Sequence, residues 1–382
     1  MEQKGIYLIQ EKGCLNPYSG AFQHIKQGVK HLSKEFEIDI YLVNQKINLT
    51  NYEKATDSRI SYSSIKKKKN GFYGTLKDIQ LLLLNFLKIP RLYRLIKNHN
   101  SDFVYERVSY LDFSGIIACK LARVKHIYEA NGLQFESRKK YYSTFLKRGV
   151  RHIESMSYKY NDLTFFIGSY GDYWKISKNN WVNVENGIEE QLINKEPVSK
   201  TESKYVKLCF VGRPMKHHGL EALTDLFNSP EIKENCELNL IGNGFNNIEE
   251  ELKLKKVNVV NHGFLNRNKI RSISSQFDIG LILSSPEYAS NMKLFDYAAS
   301  KLAVIGVENH NLRNWFNDEI YFYDGSLKDL RTKISDLIHD KSLMNNYSKA
   351  LHYKVKQNHT WQKTFTMKIQ EINKLLSRKS LL

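Results

Sequence analysis

The chain has 382 residues, 41% of them hydrophobic, and its 58 lysines and arginines exceed its 40 aspartates and glutamates by a formal net charge of +18. This length exceeds what one hydrophobic core usually organises, so we expect two domains. No apolar run reaches bilayer length, and we expect no secretory signal peptide before the first strand. The charge predicts a polyanionic partner. Anionic lipid or phosphorylated substrates rank above nucleic acid, because no zinc-finger or RNA-binding signature is visible.

Strand-length apolar runs alternate with longer helical patterns through the first half of the chain. Such alternation predicts a parallel sheet with crossover helices. The first helix is predicted over Ala21–Phe36. The predicted strands are Gly5–Gln10, Ile38–Val43, Phe103–Arg107, His126–Ala130, Leu163–Ile167 and Trp181–Val184.

A basic and apolar segment interrupts this alternation. The lysine run Lys66–Lys69 is followed by a stretch, Leu81 to Ile96, that mixes apolar and basic residues. Two interpretations remain open. The segment could lie on an anionic membrane as an amphipathic element. Alternatively, it is a core-facing helix that follows a solvated charged loop.

A second set of strands and helices follows a charged, polar stretch, Glu189–Lys204, which we interpret as a linker. Helices are predicted at Leu220–Phe227, Asn266–Gln276 and Met292–Ser300. The tail from Trp361 is amphipathic and helical, with no strand after it. The predicted strands are Lys207–Val211, Glu237–Ile241, Val257–Val260, Ile279–Leu283, Ala303–Val307 and Ile320–Tyr323.

The residues after each second-half strand matter most, because open parallel sheets bind ligands beyond the carboxyl ends of their strands. Gly212 would let the backbone approach a ligand closely, and the guanidinium fork of Arg213 could grip phosphate oxygens. Gly242 and Gly244 form a similar turn after the next strand, but the third glycine of a dinucleotide fingerprint is missing. Each feature alone could be an ordinary turn.

The most informative segment runs from Ser284 to Tyr297. Its small and polar residues form a loop that opens a helix near Asn291, and a helix N-terminus suits a pyrophosphate. Lys293 and Asp296 share one face of the first turn, where they could hold a phosphate and a ribose diol, or form only a surface ion pair. Three such loops on successive strands of one sheet together predict a phosphate-bearing ligand.

These residues resemble the motifs of the family-4 retaining glycosyltransferases, which have the GT-B fold and are glycosyl transferases of group 1. The resemblance spans roughly residues 5–375 and is looser in the first half. The matching positions are Gly212-Arg213 with Gly219, Gly242–Gly244, Gly263-Phe264, Lys293 with Asp296, and the junction Asn186-Gly187-Ile188-Glu189.

The resemblance implies an α/β chain with two Rossmann-like parallel-sheet domains facing across a cleft. We expect residues 1–188 to form an N-terminal acceptor-binding domain and 189–204 a linker. Residues 205–360 would form the C-terminal nucleotide-sugar-binding domain. Residues 361–382 would form a C-terminal helix that could pack back on the N-terminal domain.

The resemblance also implies roles for individual residues. Arg213 and Lys293 would act as catalytic cations that bind the donor diphosphate and stabilise the leaving nucleotide, in place of a metal. Asp296 would hold the donor ribose. The other donor-side residues would be Gly212, His218, Gly242, Gly244, Gly263, Phe264, Leu265, Ser290, Asn291 and Met292. The acceptor-side residues would be Gly20, Glu129 and Asn131.

Some positions depart from the family pattern. His218 stands where the family usually has a lysine. Tyr288 stands at the first glutamate of the family's Glu-x7-Glu motif, with Glu287 one residue away, and Asp296 replaces the second glutamate.

The resemblance implies a retaining transferase that moves a hexose or related sugar from a nucleoside-diphosphate sugar to a carbohydrate acceptor. The donor site and the proposed membrane-facing N-terminal domain together fit a lipid-linked acceptor in cell-surface polysaccharide biosynthesis. No metal and no cofactor besides the donor substrate are expected. We expect a cytoplasmic protein, peripheral at the inner face of the cell membrane and bound to its anionic surface, with no nucleic-acid partner. Two alternatives remain: a degenerate paralogue that binds a nucleotide sugar without turnover, and a GT-B-fold sugar-nucleotide epimerase.

Overall fold

The computed structural model describes residues 3–17, 19–53, 71–138, 143–176, 180–195, 200–214 and 219–378. Within them the chain divides into two compact units. The first comprises Met1–Val184 and Phe365–Leu382, and the second comprises Glu185–Thr364. None of the described helices is both long enough and apolar enough to cross a bilayer.

The first unit is built on a sheet in the order β3-β2-β1-β4-β5-β6-β7, seven strands in the described residues. All neighbouring strands are parallel except β2 and β3, which pair antiparallel. The predicted parallel sheet is therefore confirmed, and the short antiparallel edge strand was not predicted. The strands are β1 (Lys4–Ile9), β2 (Glu37–Leu42), β3 (Gln45–Lys46), β4 (Phe103–Arg107), β5 (Lys125–Ala130), β6 (Leu163–Ile167) and β7 (Trp181–Val184).

Alternate residues of β1 face opposite sides of this sheet, as the two-residue period of a strand requires. Ile6 and Leu8 pack into an apolar cluster with residues of α3 and α4. Tyr7 points the other way, and its ring lies where a Cβ on Gly28 of α1 would be. The helices are α1 (Gly20–Leu32), α2 (Thr50–Glu53), α3 (Gly71–His99), α4 (Ser114–Ala122), α5 (Gln134–Arg138), α6 (Lys147–Tyr160) and α7 (Tyr170–Trp174).

The second unit has a wholly parallel sheet in the order β10-β9-β8-β11-β12-β13, six strands in the described residues. Leu208 and Phe210 of β8 belong to the apolar cluster on one face, and Cys209 belongs to the cluster on the other. The strands are β8 (Val206–Val211), β9 (Cys236–Ile241), β10 (Asn258–Asn261), β11 (Ile279–Ile282), β12 (Ala303–Val307) and β13 (Tyr321–Tyr323).

Helices connect these strands in the crossover manner that the alternation predicted. One further helix lies inside the stretch predicted as a linker, because Ile193 is buried in the core of the second unit. The helices are α8 (Glu190–Asn194), α9 (Glu221–Leu226), α10 (Pro230–Asn235), α11 (Asn246–Leu254), α12 (Arg267–Ser274), α13 (Met292–Ala299), α14 (His310–Phe316), α15 (Leu327–His339), α16 (Lys341–Asn358) and α17 (Trp361–Ser377).

Candidate functional site

Glycines at three strand ends bring the loops of the second sheet together. Gly212 follows β8, Gly242 follows β9 and Gly263 lies just beyond β10, and all three have positive φ angles. A Cβ on Gly242 would lie 1.8 Å from the carbonyl oxygen of Gly212, and the Gly242 N–H donates to the carbonyl of Gly263 at 2.8 Å. Only glycine permits this approach, so the three backbones adjoin without side chains between them.

The loop after β11 joins the same edge. Gly219 has a φ of +66°, and a Cβ there would lie 3.1 Å from the Cβ of Ser284. Arg213 is exposed directly after Gly212. The residues that follow, 215–218, lie outside the described part of the chain, and the predicted donor contact of His218 lies among them.

Tyr297 fixes helix α13 against this edge. Its hydroxyl accepts a hydrogen bond from the Val211 N–H at 2.9 Å, and Gly280 leaves room for the ring, since a Cβ there would lie 2.5 Å from it. Asn291 is the N-cap residue of α13, but its side-chain amide donates to the Ser285 hydroxyl at 2.8 Å. It therefore makes no side-chain capping bond to the helix. The first-turn N–H groups of α13, beginning at Met292, therefore have no side-chain cap from Asn291 and remain suited to an anion.

The ammonium of Lys293 projects from this first turn over the ring of Phe210, with its Nζ 4.1 Å from the ring centroid. Burial lowers the pKa of Lys293 to about 7. No ion pair among the described residues involves it. A cation that is partly desolvated and lacks a carboxylate partner gains most from an incoming anion.

The remaining donor-side candidates lie around this group. Asp296 is half-buried one turn along α13 from Lys293. Phe264 is partly exposed beyond Gly263, whereas Leu265 packs against the core cluster under α13. The structure thus brings the described donor-side candidates into neighbouring loops of one unit.

The loop after β11 is held by its own acidic residue. Glu287 accepts a hydrogen bond from the His310 N–H on its carboxylate at 2.8 Å, and its carbonyl accepts the Asn311 N–H at 2.9 Å. The carboxylate therefore binds the start of α14. The ring of Tyr288 packs on His310, with centroids 5.1 Å apart.

Glu185 lies beneath this loop and was not among the predicted site residues. Its carboxylate accepts hydrogen bonds from the Asn186 N–H at 2.9 Å and from the Asn311 side chain at 2.8 Å, and it also bonds Ser290. Burial raises the pKa of Glu185 to about 7, against the effect of these donors. The only available signal was a carboxylate immediately before the junction motif Asn186-Gly187.

The acceptor-side candidates lie in the first unit. Gly20 opens α1, with no atom within 4 Å of where its side chain would be. Glu129, at the end of β5, is completely buried and pairs with Lys368 of α17 at 2.7 Å. Burial alone would raise the pKa of Glu129, but Lys368, followed by His24 and Arg107, holds it well below its usual value.

Neighbouring side chains occupy the Glu129 carboxylate further. Asn131 donates to it at 3.1 Å, and the Tyr105 hydroxyl donates at 2.6 Å. In this arrangement Glu129 connects the C-terminal helix to the first sheet, and Asn131 is half-buried. Among the described residues, no group of three histidines, cysteines or carboxylates could hold a metal ion.

Comparison with known proteins identifies the fold. Residues 219–369 match a family model described as glycosyl transferase-like. An uncharacterized glycosyltransferase of Methanocaldococcus jannaschii is 23% identical, over 98% of both chains.

Solved structures agree over nearly the whole chain. The sucrose-phosphate synthase of Thermosynechococcus elongatus superposes with a TM-score of 0.70 at 13% identity, covering 98% of this chain and 100% of that one. Anabaena HepE in complex with UDP superposes with a TM-score of 0.65 at 12% identity, covering 97% and 100%. The expected GT-B fold is confirmed.

Proposed function

We propose that this chain, which belongs to the GT-B glycosyltransferases of the group 1-like family, moves a hexose with retention of configuration from a nucleoside-diphosphate sugar to a carbohydrate acceptor. The observation that carries the proposal is the meeting of three glycine-opened loops with the first turn of α13, which has no side-chain cap, and with the Lys293 ammonium, which forms no ion pair with the described residues. This arrangement provides backbone N–H groups and fixed positive charge at one sheet edge, which is what a diphosphate needs.

The donor roles follow from these charges. Arg213 and Lys293 would bind the diphosphate, which favours the charged form of Lys293. Their positive charge would then stabilise the negative charge that develops on the leaving nucleotide. Asp296 would hold the ribose, and the backbone at Gly263 to Leu265 would face the base. The HepE structures contain UDP and UDP-glucose, which supports a nucleotide-sugar donor for this related fold.

We also propose a lipid-linked acceptor in cell-surface polysaccharide assembly, reached from the inner face of an anionic membrane. Helices α3, α4 and α6 support this proposal. Their acidic residues, Asp78 and Glu154, are both buried. Their basic residues are all exposed or half-buried: Lys77, Lys88, Arg91, Arg94, Lys97, Lys120, Lys147, Arg148, Arg151 and Lys159.

Apolar surface lies among these cations. Leu83, Phe86 and Leu87 of α3 are each about 60% exposed. The ring of Phe86 contacts the ring of Phe113 edge-on. Phe113 also lines a groove of about 610 Å³ between α4 and α6. Exposed apolar side chains set among cations suit an anionic bilayer, which attracts the charge and accepts the side chains. The lysine run Lys66–Lys69 lies outside the described residues.

A ligand screen followed by turnover tests the function. We expect one of UDP-, GDP- or ADP-hexoses to raise the melting temperature by mass action, and the same donor to glycosylate a lipid-linked or oligosaccharide acceptor with retention. Stabilisation without transfer or hydrolysis would favour the degenerate paralogue. Conversion of the donor into an epimer would favour the epimerase. Absence of stabilisation by every nucleotide sugar would contradict the donor site.

A further inference from the structure

Glu185 is a buried hub in the second unit. Glu185, Asn186 and Asn311 are 2%, 3% and 0% exposed. The Glu185 carboxylate accepts from the Asn186 backbone at 2.9 Å and from the Asn311 side chain at 2.8 Å, and it also bonds the Ser290 hydroxyl. A carboxylate suits this place because it offers only acceptors, and three donors converge on it.

Two of these bonds reach the loop between Ser284 and Asn291 at separate points. Ser290 accepts the Asn186 side-chain amide at 2.6 Å and also bonds Glu185, which holds the end of the loop beside α13. Asn311 donates its backbone N–H to the Glu287 carbonyl at 2.9 Å, which holds the middle of the loop. Glu185 therefore connects both anchors of this loop through hydrogen bonds.

We propose that Glu185 is a positioning residue that fixes the loop from Ser284 to Asn291 through Ser290 and Asn311, and so determines how the transferred sugar of the donor is held. This inference rests on the proposed function: the loop leads directly into the first turn of α13, so beside a diphosphate bound there it would contact the sugar. Glu185 is buried beneath the loop and acts through it. Its loss removes the acceptor of three donors, two of which belong to the buried residues Asn186 and Asn311. Relaxation of the loop would let water reach these donors.

Hydrogen exchange of the unliganded protein tests the positioning directly. In Glu185→Gln, which keeps the volume but offers one acceptor oxygen, we expect the amides of residues 285–295 to exchange about tenfold faster. Asp278→Asn is the matched control. Asp278 is a carboxylate of the same unit that accepts the Lys207 N–H, but it lies before β11, whereas the loop from Ser284 to Asn291 lies after it. Unchanged exchange of the loop in Glu185→Gln, or equal acceleration in the control, would overturn the proposal.

Ligand affinity tests the consequence. With the nucleotide sugar that stabilises the wild type, we expect Glu185→Gln to raise the Kd about tenfold. The Kd of the corresponding nucleoside diphosphate alone should stay within about twofold, because Lys293 and Arg213 are untouched. A general loss of stability would lower the melting temperature but would affect the Kd of the nucleotide sugar and that of the nucleoside diphosphate alike. Equal loss for both ligands would therefore refute a role in holding the sugar.

A double-mutant cycle tests the route. If Glu185 acts through Ser290 and Asn311, Glu185→Gln should add little to the nucleotide-sugar Kd of the double variant Ser290→Ala with Asn311→Ala. Additive losses would assign Glu185 a path that involves neither residue and would overturn the proposed connection. If the wild type binds no nucleotide sugar, the proposed function is refuted, and the sugar-holding role with it. If the wild type binds one but the losses are additive, only this inference is refuted.

Discussion

The ammonium of Lys293, a first-turn residue of α13, lies over the ring of Phe210, where burial has removed much of its water. Its pKa of about 7 in the free protein means that the cation is only partly formed at neutral pH. A bound diphosphate favours the charged form and raises the pKa, so binding takes up a proton. Donor affinity should therefore be highest below pH 7. It should fall as the pH rises from 7 toward the pKa that Lys293 has in the complex.

This gives a calorimetric prediction. The Kd of the nucleoside diphosphate should rise by up to about tenfold for each pH unit above 7. At pH 7.5 the binding enthalpy should vary with the ionisation enthalpy of the buffer. Lys293→Arg keeps the charge at every accessible pH, so both dependences should disappear in that variant. A wild-type Kd that does not change between pH 7 and 9 would contradict the role given to Lys293.

Charge removal at either catalytic candidate is the second residue-scale prediction. Arg213→Ala and Lys293→Ala should each lower turnover by at least about a hundredfold, the usual effect of losing one preorganised charge contact. The melting temperature of Arg213→Ala should barely change, because that side chain is exposed. Near-normal turnover in either variant would remove it from the site.

Residues with a local signature were the ones that the sequence could identify. Gly212, Gly242 and Lys293 follow predicted strands or open a predicted helix, and the structure brings them to one edge of the sheet. Glu185 and Lys368 could not be identified in this way. Their partners, Asn311 and Glu129, are 126 and 239 residues away in sequence, and no local pattern encodes such a pairing.

Helix α3 shows why two interpretations of one segment were both defensible. Before Pro90 it exposes Leu83, Phe86 and Leu87, whereas after Pro90 it buries Leu92 and Ile96 in the core of the first unit. The apolar pattern alone cannot say which half meets solvent, because burial depends on α4 and α6, which come later in the chain. The core-facing interpretation therefore holds for the end of the helix. It also holds for one side of its beginning, where Leu81 and Leu82 pack against a small buried cluster.

Helix α17 is tied to the first sheet by a buried ion pair, which predicts an asymmetric response to mutation. Lys368→Met leaves the Glu129 carboxylate buried without its main partner, so it should lower the free energy of unfolding by about 3–5 kcal/mol in urea titrations. Adding Glu129→Gln should recover part of this loss. The control, Lys374→Met, breaks an exposed pair with Glu371 on the same helix and should cost less than about 1 kcal/mol. Equal losses would show that the buried pair contributes no more than the exposed one.

At the scale of the whole molecule, the described part of the chain provides positive charge where a diphosphate would bind, and we expect the transfer to need no metal. Activity should stay within about twofold in excess chelator, because Arg213, Lys293 and the N-terminus of α13 would neutralise the leaving nucleotide. The assay compares turnover in chelator alone with turnover in added Mg²⁺ or Mn²⁺. A loss in chelator that either ion restores would contradict this prediction.

The net charge of +18 has its clearest structural expression on α3, α4 and α6, where all the exposed charges are positive. We expect the protein to bind vesicles that contain phosphatidylglycerol and not to bind vesicles of phosphatidylcholine alone. Each lysine near such a surface contributes about 1 kcal/mol, and salt screens the attraction within about 8–10 Å. Replacing Lys66–Lys69 by glutamine should therefore weaken binding most at low salt.

The apolar contribution is separable from the charge. Leu83→Ser with Phe86→Ser should weaken vesicle binding at every salt concentration, because it removes inserted hydrocarbon rather than charge. Leu254→Ser is the matched control, since Leu254 is 86% exposed but belongs to the second unit. Donor hydrolysis, which needs no membrane, should be unchanged in all three variants. If the α3 variant and the Leu254 control bind alike, the apolar side chains of α3 do not insert. If the lysine variant also binds normally at low salt, the membrane has no part in the action of this protein.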